Sequence, residues 1–106
     1  MKDMLDKIEQ IEKRYIELGE TLSDPAVIND YNKFRDLSKQ RKSMEETVEV
    51  YYKWKKATDA ITDAKELIKA ESDPEMKEFL KADMEENENV IVQCEERMKI
   101  LLLPRD

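Results

Sequence analysis

The sequence predicts an all-α fold, an elongated antiparallel three-helix bundle packed in the manner of a coiled coil. Three observations carry this expectation. The chain has one Gly and three Pro among 106 residues, with 42% of them charged. A sheet protein needs many more turn formers, whereas long helices need few. Apolar residues recur at alternating steps of three and four, the period of a helical seam. The strongest punctuation is one tripeptide used twice, Ser23-Asp24-Pro25 and Ser72-Asp73-Pro74.

The first helix is expected over about residues 2–22, where Met4, Ile8, Ile11, Tyr15, Leu18 and Leu22 form the seam and Leu5 widens it. Gly19 interrupts the pattern at a cost of about 1 kcal/mol relative to Ala. The last turn is therefore expected to fray or tighten. Each Ser-Asp-Pro then supplies an N-cap: Asp accepts a hydrogen bond from an orphan backbone N–H, and Pro at the first helical position sacrifices no needed donor. At the second tripeptide, Ser72 and Glu75 offer a capping box as the alternative. The residue before each Pro is held out of the helical region, so the preceding helix ends there.

The second helix is expected over about 25–70. Its first seam reads Phe34, Leu37, Arg41, Met44, Val48, Tyr51, and its second reads Trp54, Ala57, Ile61, Ala64, Ile68. Across Tyr51, Trp54 and Ala57 the steps are three and three where the heptad rhythm demands a four. That slip changes the buried face and predicts local overwinding or a kink near 50–56 rather than a true break, because no Gly, Pro or capping pair stands there. Arg41 is expected to lay its stem along apolar neighbours. The third helix, about 74–103, carries Met76, Leu80, Met84, Asn87, Ile91, Cys94, Met98 and Leu101. Asn87 either pins register or sits at the bundle's edge against water, and the edge is the expectation.

At 1.5 Å per residue the three helices would span about 30, on the order of 65–70, and about 45 Å. Connections this short force neighbours to fold back antiparallel. Helix one would then cover the first part of helix two and helix three the second, within one domain spanning 1–106.

Composition excludes several functions. The formal charge is −7, with 19 basic and 26 acidic side chains. That disfavours nonspecific contact with DNA, RNA or an anionic membrane. No stretch reaches the length of a membrane span or a signal sequence, and a lone cysteine makes no disulfide framework, so a reducing cytoplasm is expected. There is no His, which removes the commonest general base and metal ligand, and one Gly leaves no phosphate-cradling loop. Cys94 lies on a predicted buried stripe as a small core residue rather than a nucleophile. The carboxylates fall on outward faces without a cation-loop pattern. Two small basic clusters, Lys39, Arg41 and Lys42 and then Lys53, Lys55 and Lys56, read as salt-bridged surface. No catalytic, cofactor-binding or metal-binding residue is assigned. The chain reads as a noncatalytic helical interaction module.

Four stretches then stand in a telling order: Tyr15-Ile-Glu-Leu-Gly-Glu-Thr-Leu-Ser-Asp-Pro25, Phe34-Arg-Asp-Leu-Ser-Lys39, Ser72-Asp-Pro-Glu-Met76 and Ile100-Leu-Leu-Leu-Pro-Arg-Asp106. Together they resemble the N-terminal domain of the bacterial class I peptide chain release factors, on the side of release factor 1 rather than its paralogue release factor 2. The resemblance covers essentially the whole chain. It implies a role in translation termination on the ribosome. In that family a core domain reads the stop codon, and a Gly-Gly-Gln loop promotes hydrolysis of the peptidyl-tRNA ester. Neither motif occurs here, so no catalytic residue carries over and the core and Gly-Gly-Gln domains lie outside this chain. What carries over is an arm that approaches the stalk base of the large ribosomal subunit and influences recycling by the GTPase release factor. The apolar run Ile100–Leu103 meeting Pro104 is expected to be the junction into the core.

An acidic arm should prefer basic ribosomal protein surface to ribosomal RNA. The residues expected to touch a partner are Ser23, Asp24, Tyr51, Tyr52 and Trp54. The rival expectation is a generic coiled-coil scaffold or dimerisation module, with open apolar strips along helix two driving self-association.

Overall fold

The structure, a computed structural model, describes residues 1–104. It is all-α, with four helices and no strand among the described residues: α1 (Lys2–Thr21), α2 (Pro25–Ile28), α3 (Tyr31–Ala70) and α4 (Pro74–Leu101). The chain forms two compact units, one from Met1 to Glu49 and one from Val50 onward.

In the first unit, α1 ends at Thr21, and Asp24 caps α2 by accepting from the Ala26 N–H at 3.0 Å with Pro25 at the first helical position. Here the structure corrects the sequence reading. The single helix expected over 25–70 is interrupted after one turn, at Asn29-Asp30. The Asp30 N–H turns back onto the Val27 carbonyl, while Asp30 Oδ1 accepts from the Lys33 N–H at 3.2 Å and caps α3. Both residues have short polar side chains that compete for nearby backbone groups, so an Asn-Asp pair ends one helix and starts the next without Gly or Pro. The seam on α3 accordingly begins at Leu37. Phe34, expected on it, is 39% exposed. Ile8, Leu18, Val27, Thr47 and Val48 are the buried residues of this unit.

Arg41 joins α1 to α3. Its Nε donates to the Tyr15 carbonyl oxygen at 3.1 Å, and its guanidinium carbon lies 3.8 Å from the Tyr15 ring centroid. This is a sharper role than a snorkelling stem. It also explains Gly19, where a Cβ would come within 3.0 Å of Arg41 Nη2. The absent side chain makes room for the guanidinium. Gly19 is helical within α1 rather than a frayed end.

The second unit is an antiparallel hairpin of α3 and α4, with residues 53–60 of α3 lining a groove with 83–90 of α4 and residues 62–69 lining another with 81–84. α3 is continuous through 50–56, so no break occurs there. The rhythm slip instead falls beside the division between the two units. Ala57 and Ala64, one heptad apart, are buried on α3, facing a unit core that also includes Tyr51, Leu80, Cys94 and Met98. Small side chains at that spacing allow close approach of two helices. Asp73 caps α4 by accepting from the Glu75 N–H at 3.1 Å, so the cap is the Asp and not a Ser72–Glu75 box. Asn87 is half-buried and donates back to the Asp83 carbonyl at 3.0 Å, on its own helix. Met76, expected on the seam, is exposed, because the buried stripe of α4 starts a turn later at Leu80. The helix stops at Leu101, two residues short of the expected 103, since Pro104 bars helical geometry at Leu103. Arg105 and Asp106, the end of the expected junction, lie outside the described residues.

Candidate partner-binding surfaces

The aromatic cluster on α3 grows from three residues in one helical turn. Tyr51 is buried, and its ring stacks with that of Trp54 at 6.1 Å between centroids and 14° between planes. Tyr52 lies 6.2 Å from Tyr51, tilted by 35°, and Lys55 Nζ sits 5.4 Å from the Tyr51 centroid. Trp54 Nε1 donates to Glu95 Oε2 on α4 at 3.0 Å. A bond from a neutral N–H to a carboxylate is among the stronger side-chain hydrogen bonds. Trp54 thus holds the hairpin together, Tyr51 fills its core, and Tyr52 is the ring presented to solvent.

Ser23 and Asp24 occupy the turn between α1 and α2. Ser23 Oγ donates to the Gly19 carbonyl at 3.1 Å, and Asp24 spends one carboxylate oxygen on its cap. Both side chains are exposed, so the turn presents polar groups already fixed by helix-end bonding. Of the five residues singled out in the sequence, the structure brings Tyr51, Tyr52 and Trp54 together.

The chemistry available is that of recognition. Among the described residues, no group of three or more His, Cys, Asp or Glu could hold a metal ion, and no helix is long and apolar enough to cross a membrane. Burial pushes the Cys94 thiol up from its ordinary pKa; Lys53 opposes the rise and Glu95 adds to it. A thiol so placed is a poor nucleophile at neutral pH. The exposed ion pairs, Lys42–Glu45 and Lys81–Glu78 three residues apart and Arg35–Asp36 adjacent in sequence among them, add little stability.

The sequence reading expected open apolar strips along helix two but did not single out which large side chains stand in water. Ile28, Tyr31 and Phe34 stand exposed around the α2–α3 interruption, and Leu67, Met76 and Phe79 around the turn between α3 and α4. The signal was available in part: Phe79 stands beside the α4 seam rather than on it.

Comparison with known proteins places these surfaces in context. The PCRF domain model matches residues 11–106. Peptide chain release factor 1 of Enterococcus faecalis is 47% identical over 103 residues, and those of Chloroherpeton thalassium and Bacillus anthracis are each 44% identical over 103 residues. In each case the match covers 97% of this chain and 29% of the relative, so the chain spans less than a third of the length of these curated relatives. No solved structure matches the chain.

Proposed function

Because this chain belongs to the PCRF domain family, we propose that it is the noncatalytic helical arm of a translation termination factor, acting on the ribosome in the cytoplasm. The observation that carries this reading is identity to release factor 1 proteins spread over nearly the whole chain rather than confined to a motif. In this reading, stop-codon recognition and peptidyl-tRNA hydrolysis belong to the rest of the factor. The arm contributes contact with the stalk base of the large subunit. Its charge of −7 favours basic protein there over RNA phosphate. Ser23, Asp24 and Tyr52 are the proposed points of contact, with Tyr51 beside the Tyr52 ring and Trp54 stacked on Tyr51.

The test uses the full-length factor on ribosomes stalled at a stop codon. Removing residues 1–104 should leave peptide release at saturating factor within about threefold of wild type, while weakening factor binding by about tenfold or more. Loss of release at saturation would reject a noncatalytic arm. A photo-crosslinking residue at Tyr52 should capture stalk-base protein, and capture elsewhere would reject the placement. Exposed Tyr31 and Phe34 favour a second reading, a dimerisation module. Sedimentation decides between them: a mass independent of concentration excludes self-association.

A further inference from the structure

We propose that the turn end of the α3–α4 hairpin is a docking surface for a basic, amphipathic protein segment. Phe79 is 65% exposed and Met76 43%, one turn apart on α4, and Leu67, close before the same turn on α3, is 57% exposed. Large apolar side chains gathered in water at one end of a hairpin mark an interaction surface more often than isolated ones do. The neighbours of Phe79 identify the occupant. On its side of the helix, at offsets of −4, +4 and +7, stand Glu75, Asp83 and Glu86. The nearby lysines, Lys77 and Lys81, sit two residues either side, on the opposite face, and Lys81 is paired with Glu78 at 3.6 Å. On α4 the apolar pair is therefore flanked by carboxylates, of which Asp83 also lines a groove with Lys53 and Lys56 of α3 while Glu75 and Glu86 stand exposed. Residues 71–88 hold eight carboxylates and two lysines.

That chemistry repels a phosphate backbone or an anionic membrane and attracts Lys or Arg side chains surrounding an apolar anchor. Phe79 and Met76 supply the buried centre of such an interface and the carboxylates its polar rim. This surface is separate from the aromatic cluster around Tyr51, and the proposal stands whether or not the arm's target is ribosomal.

The experiment titrates the intact chain with a short amphipathic peptide made only of leucine and lysine, read by fluorescence anisotropy and amide chemical-shift mapping. Shifts should concentrate at residues 67–86. Phe79→Ser should weaken binding by about tenfold, the effect of a central apolar anchor. Glu75→Gln with Glu86→Gln should weaken it at low salt and flatten its salt dependence. Tyr31→Ser, in the other unit, should change nothing. Phe79 and both glutamates are exposed, so these variants keep the fold, checked by circular dichroism. Binding that ignores Phe79→Ser, shifts scattered over both units, or no binding at all would each overturn the proposal. So would a concentration-dependent dimer dissolved by Phe79→Ser, because a second copy would then be the occupant.

Discussion

Gly19 owes its place to Arg41. With no side chain at 19, the guanidinium lies over the Tyr15 ring and bonds the Tyr15 carbonyl. Gly19→Ala gains about 1 kcal/mol of helix propensity. It also pushes the flexible end of Arg41 aside, so its unfolding free energy should stay within about 1 kcal/mol of wild type. Gly19→Val cannot be accommodated by that small shift and should lose roughly 1–3 kcal/mol, the usual range for overpacking. Urea denaturation followed by circular dichroism separates the two. Trp54→Phe keeps an aromatic face against Tyr51 but strands Glu95, and should cost roughly 1–2 kcal/mol in the same assay. Cys94 adds a pH dependence. Its folded pKa is raised, so the unfolded chain releases the thiol proton first. Its contribution is intact below the ordinary thiol value, about 8.5, and is lost as pH rises through the folded value. Unfolding measured between about pH 7 and 10 should show wild type losing more stability than Cys94→Ala.

At the scale of elements, capping side chains decide where this chain stops being helical. Asp24, Asp30 and Asp73 each accept a backbone N–H at the start of a helix. Asp73→Ala should cost about 1 kcal/mol and speed amide exchange in the first turn of α4. Asp30→Ala should do the same at the start of α3, whereas Asp36→Ala, in the body of the helix, should not. If exchange at Lys33 and Phe34 is unchanged in Asp30→Ala, the Asn29-Asp30 interruption is held by something other than its cap. The two Ser-Asp-Pro caps were legible because Pro announces them. The Asn29-Asp30 interruption was not, because both residues are tolerated inside helices and only their local hydrogen bonds show which conformation won.

Across the whole molecule, charge outweighs pairing. The net charge is −7, while the ion pairs span exposed side chains that water already screens. Repulsion among carboxylates should therefore dominate the salt response, and the melting temperature should rise between about 10 and 200 mM salt as the Debye length falls from about 30 Å to less than 10 Å. A falling melting temperature would mean the ion pairs contribute more than their exposure suggests. Each compact unit has its own buried centre, so substitution at Leu18 tests one and at Leu80 the other. Leu18→Ala leaves a cavity at a fully buried site and should cost roughly 2–5 kcal/mol.

Read alone, the sequence determined the all-α class, the ends of α1 and the start of α4, and the two seam registers along α3, because periodicity and proline caps are local properties. Leu37, Arg41, Met44 and Val48 on one side of the slip, and Trp54, Ala57, Ile61, Ala64 and Ile68 on the other, are buried or half-buried as that rhythm requires. Only the tertiary structure decided what the side chains on those seams touch. Periodicity cannot tell that Trp54 reaches Glu95, that Tyr51 turns inward while Tyr52 faces water, or that Gly19 makes room for Arg41. Nor can it tell that Phe34 and Met76, in step with their seams, stand exposed. Those outcomes depend on where a second helix begins and ends, which no single stretch of sequence contains.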